Sequence, residues 1–93
     1  MTNEQYKINE ALENYLKSFL FEVRDTIADK YGKEIITKVE RIYNDAMNCH
    51  IDWRVTNISA ALLLLNELIN NKYPWLSVKA QSNLRGTFIK TWK

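Results

Sequence analysis

The chain has one cysteine, one histidine, one proline and two glycines in 93 residues. Each scarcity removes a class of explanation. A lone Cys49 forbids an internal disulfide and a cysteine-based zinc cage. A lone His50 cannot build a histidine metal site, and no cysteine or carboxylate cluster lies around it at ligand spacing. Neither metal nor cofactor is expected. Gly32 and Gly86 are isolated, so no loop is rich enough in glycine to cradle a phosphate. With so little Gly and Pro, hairpins are disfavoured and helices favoured. No apolar leader follows a basic start, so no secretory signal is visible and a cytoplasmic location is expected. Asn57-Ile58-Ser59 matches the glycosylation acceptor pattern, which means nothing without a secretory route.

What is present points to an all-α fold. The length allows one domain, residues 1–93, with a single core. The most apolar run is I-S-A-A-L-L-L-L-N-E-L-I at residues 58–69. Successive residues step about 100° around a helix, so four consecutive leucines wrap most of its circumference. Such a helix is packed on more than one side. A membrane span would need roughly 20 apolar residues, and Arg54, Asn66 and Glu67 interrupt well short of that. The run is therefore expected to be the central helix of the bundle, over residues 53–72, with Asp52 as its N-cap. Leu63 points into the polar sector among Ser59, Glu67 and Asn70, as a plainly exposed leucine or as a contact residue.

Three further helices are expected to enclose it. Thr2 and Gln5 fit a capping box. Ile8, Leu12, Tyr15, Leu16, Phe19, Leu20, Val23 and Ile27 then recur at helical spacing. The first helix is placed at residues 3–31, ending at Gly32, with Asp25 the alternative break. Phe21 lies off its apolar stripe, as a second contact candidate or as a cover for a loop. Residues 33–49 form the most regular helix, with Ile35, Ile36, Val39, Ile42, Tyr43, Ala46 and Met47 on one face. Its other face offers Glu34 to Lys38 and Arg41 to Asp45 at pairing distance. The Tyr73-Pro74-Trp75 turn and a Ser77 cap lead into a helix over residues 78–92. Ala80, Leu84 and Phe88 face inward from it. Gly86 falls inside this helix, either allowing a close approach or merely tolerated.

The net charge of +2 conceals a split. Residues 1–52 carry a net of −3 and residues 53–93 a net of +5. Either the halves attract each other across the bundle, or one end of the surface is basic. His50 and Asp52 could form a base and its orienting carboxylate, but no nucleophile accompanies them. His50 more simply closes the end of the core. Asp25 and Asp29 sit one turn apart on a polar face, where carboxylates are solvated. No enzyme is expected.

The remaining lead is the basic, aromatic C-terminal region. Trp75, Lys79, Arg85, Lys90 and Trp92, with Leu63, are the expected partner-binding residues, because Trp and Arg are common interface anchors. The expectation is a non-catalytic protein-binding module, a small bacterial inhibitor of the immunity-protein or antitoxin type. Its partner would be a larger protein, such as a toxin encoded by a neighbouring gene. A homodimer is compatible with this, and no membrane is involved. The alternative is a nucleic-acid-binding domain using the basic last helix, although its basic residues are sparse for that role.

Overall fold

The computed structural model describes residues 2–16, 19–48 and 57–92, Trp92 through its backbone only. They form five helices: α1 (Asn3–Tyr15), α2 (Leu20–Tyr31), α3 (Lys33–Met47), α4 (Ile58–Lys72) and α5 (Val78–Trp92). The described residues are all-helical in class as expected, with five helices among them in place of four. None among the described residues is long and apolar enough to cross a membrane.

The first expected helix is two. Thr2 and Gln5 do form the capping box, each side chain bonded to the other's backbone N–H at 3.1 Å. The helix ends earlier than expected, however, at Leu16, and Phe19 is extended (φ −95°, ψ 144°) before α2 begins. The break lies here and not at Asp25, which sits inside α2. Folding back lets Leu20 and Ile27 enter the core that already holds Ile8, Leu12 and Leu16. Gly32 stops α2 as expected. Its φ of 93° is a conformation L side chains rarely adopt, and its N–H donates to the Ala28 carbonyl at 2.9 Å.

The central position belongs to α3, not to α4. Among the described residues α3 packs against α1, α2, α4 and α5, whereas α4 packs only against α3 and α5. The regular apolar face of α3 accounts for this, since Ile35, Ile36, Val39, Ile42, Ala46 and Met47 are all buried. From α4 only Ala61, Leu65 and Ile69 are buried. With two neighbours the helix cannot hide a leucine run that surrounds its axis, so Leu63 and Leu64 face outward. The start of α4 also differs. Asn57 is its N-cap, extended at φ −91° and ψ 174°, with Oδ1 accepting the Ala60 N–H at 2.9 Å. The expected start at residue 53 and the Asp52 cap lie outside the described residues, as do Cys49 and His50.

The last helix matches its expected span. Ser77 Oγ accepts the Ala80 N–H at 3.1 Å, and Ala80, Leu84 and Phe88 are fully buried. Two asparagines join α1 to the C-terminal part of the chain. Asn83 Nδ2 donates to the Leu12 and Glu13 carbonyls at 2.8 and 3.2 Å, occupying acceptors left open at the end of α1. Asn9, buried at 4% exposure, reaches the turn between α4 and α5.

Candidate functional site

That turn brings the Tyr73 and Trp75 rings together beside charged side chains of α1 and α3. Tyr73 caps α4, its N–H donating to the Ile69 carbonyl at 2.7 Å. Pro74 follows and forbids another helical turn. Asn9 then fixes the exit. Its Nδ2 donates to the Trp75 carbonyl at 3.1 Å, and its Oδ1 accepts the Ser77 N–H at 2.9 Å. Leu76 anchors the turn in the core. The Tyr73 and Trp75 rings meet edge to face, with centroids 6.1 Å apart and planes at 84°.

These rings form one wall of a cleft of about 260 Å³ against the first turns of α1 and the middle of α3. Ile8 and Ile42 supply apolar lining, and Lys38 and Arg41 supply charge. The Tyr73 hydroxyl donates to Asp45 Oδ2. Burial, reinforced by that acceptor, pushes the Tyr73 hydroxyl up to about 12 from an ordinary 10.0. Lys72 Nζ lies 3.7 Å from the same carboxylate. Lys38 is ion-paired with Glu4.

The surface pairs expected along α3 are therefore replaced by pairs between helices. Lys38 binds Glu4 on α1 in place of Glu34, and Asp45 takes Tyr73 and Lys72 in place of Arg41. A neighbour on another helix can present its group at short range, while an i,i+4 pair adds only about 0.2–0.5 kcal/mol. Arg41 is left exposed, with no ion pair among the described residues.

The residues expected to bind a partner are not gathered into one place. Trp75 is half-buried and packed on the core, in a cleft to which α5 contributes no residue. Lys79 and Lys90 are at the surface of α5. Arg85 Nη1 donates to Asn66 Oδ1 at 3.2 Å, toward α4. Leu63 is 65% exposed on the outer side of α4. The Trp92 side chain lies outside the described residues. Gly86 is not a point of close approach, since a Cβ there would meet nothing within 4 Å. Sequence reasoning missed Arg41 and Lys38, having assigned both to solvated pairs. The available signal was the Tyr-Pro-Trp turn, which needs some wall to pack its rings against.

Phe21 marks a second surface. It is 76% exposed and stacks on Phe19 with centroids 5.7 Å apart. Beside it a shallow depression of about 200 Å³ runs between Leu20, Arg24 and Tyr43. No group of three potential metal ligands occurs among the described residues. Comparisons with protein-family models, curated proteins and solved structures find no match to the chain.

Proposed function

We propose that this chain is a non-catalytic protein-binding module that occludes a larger partner, in the manner of a small bacterial immunity protein or antitoxin. What supports the reading is the cleft at Tyr73, Trp75 and Arg41. It combines an aromatic pair, an apolar lining and a guanidinium with no ion pair among the described residues, on a turn that Asn9 holds in place. Aromatic and arginine side chains set in preformed pockets are the usual anchors of protein interfaces. The cytoplasm is the proposed location and a toxin from a neighbouring gene the proposed partner. Nucleic-acid binding through α5 is the weaker reading. It needs Trp75 as a stacking platform among the α5 cations, and Trp75 faces α1 and α3 instead.

Co-purification tests the proposal. The tagged chain, expressed with its neighbouring reading frame, should retain that product as a stable complex. Absence of any partner that remains bound at about micromolar concentration would remove the reading.

A further inference from the structure

The cleft carries a charge that the described residues do not answer. Lys38 is tied to Glu4, Arg24 to Glu40, and Asp45 serves Tyr73 and Lys72. Arg41 stands where the Trp75 cleft meets a second depression, of about 300 Å³, that also includes Lys33, Glu34 and Lys38. Glu4 against Lys38 and Arg41 leaves the first cleft at +1. Adding Lys33 and Glu34 leaves the joined groove at the same value. One positive charge is thus in excess, beside the two rings.

We propose that this groove receives an acidic segment of the partner protein. One carboxylate sets on the Arg41 guanidinium, and an adjacent apolar side chain seats against Trp75, Ile8 and Ile42. The inference rests on the protein-binding reading above and specifies what that partner must present. A guanidinium offers a planar fork of donors that matches a carboxylate. The Trp75 cleft, at about 260 Å³, falls below the roughly 300–1,000 Å³ of small-molecule sites. It suits one anchoring side chain. The second depression continues past Arg41 and gives the rest of a peptide somewhere to lie.

A titration of the ¹⁵N-labelled full chain with N-acetyl-Glu-Leu-Phe amide tests this. Saturable shifts are expected at the Trp75 indole N–H and the Arg41 Nε–H. The Gln-Leu-Phe counterpart should bind about fivefold more weakly, the scale of one exposed ion pair. Arg41→Gln, an exposed position away from the core, should bind both peptides equally. The inference is overturned if wild type binds the two peptides alike, if neither binds, or if the shifts fall outside the groove. Tighter binding of a phosphoserine peptide than of the glutamate peptide would replace carboxylate with phosphate as the recognised group. Shifts of Arg41 and Trp75 with a short oligothymidylate would favour nucleic acid instead. A co-purified partner whose affinity ignores Arg41→Gln leaves the binding role standing and removes only this inference.

Discussion

Asn9, near the start of the chain, holds the carbonyl of Trp75 across 66 residues of sequence, and the same carboxamide accepts the Ser77 N–H. A buried polar side chain is tolerated because both of its ends are used. Asn9→Leu would strand a carbonyl and an N–H at the α4–α5 turn, each costing about 1–3 kcal/mol if left unsatisfied. Partial hydration of the turn reduces this, so a loss of about 2–3 kcal/mol is expected in urea unfolding. Asn9→Asp keeps an acceptor for Ser77 but sets a buried carboxylate oxygen against the Trp75 carbonyl, and should also destabilise the fold near neutral pH. Equal stability of Asn9→Leu and wild type would show that the turn holds without its clamp.

Alkaline pH should weaken the fold through Tyr73. Its hydroxyl titrates near 12 in the folded chain against an ordinary 10.0. Burial is the main cause, with the bond to Asp45 second. A raised pKa means that the folded state keeps a proton the unfolded chain has lost. The contribution is therefore complete below about pH 10 and drains away as pH climbs toward about 12. Tyr31 is shifted the same way by burial and its bond to Glu10, so it adds to the decline. Tyr73→Phe should flatten part of the fall between about pH 10 and 12, measured as unfolding free energy against pH. An identical slope in both proteins would mean that Tyr73 ionises as freely folded as unfolded.

The two glycines should respond oppositely to alanine. Gly32 has open space around it but a φ of 93° and ψ of 170°. Alanine there should cost about 1–3 kcal/mol. Gly86 lies in the α5 interior, and a methyl group placed on it would meet nothing within 4 Å. Alanine there should add up to about 1 kcal/mol. Thermal unfolding of the two variants measures the difference directly, and a stabilising Gly32→Ala would contradict the backbone geometry.

Leu63 and Leu65 separate surface from core within one leucine run. Leu65 is fully buried and Leu63 is 65% exposed. Leu65→Ala should cost about 2–5 kcal/mol, while Leu63→Ser should stay within about 0.5 kcal/mol of wild type. Comparable losses from both would place the outer side of α4 against something.

The helical class was legible because its signals are local. The Thr2–Gln5 box, the Gly32 stop, the Ser77 cap and the α3 stripe each depend on residues a few positions apart. The division of the first helix was not legible. Leu12, Leu16 and Leu20 keep helical spacing through it, with no Gly or Pro to punctuate, so nothing local marks the break. The rank of α4 was misread for a similar reason. Its leucines report how much apolar surface it has, not how many neighbours arrive to cover it. The cleft was half legible. Tyr73 and Trp75 stand out beside Pro74, but Arg41 is freed only because Asp45 finds Tyr73 and Lys72, and that choice is tertiary.

The stitching of α1 to the far end of the chain governs when the protein can become itself. Asn9 waits for Ser77, and the carbonyls of Leu12 and Glu13 wait for Asn83. During synthesis α2 and α3 can pair early across Gly32 and offer α1 part of its packing, but α1 meets its last neighbour only when α5 has been made. Contacts so distant in sequence slow the search for the native state. A nascent chain halted before residue 75 lacks every one of these links and should accordingly be cleaved in α1 faster than the full chain.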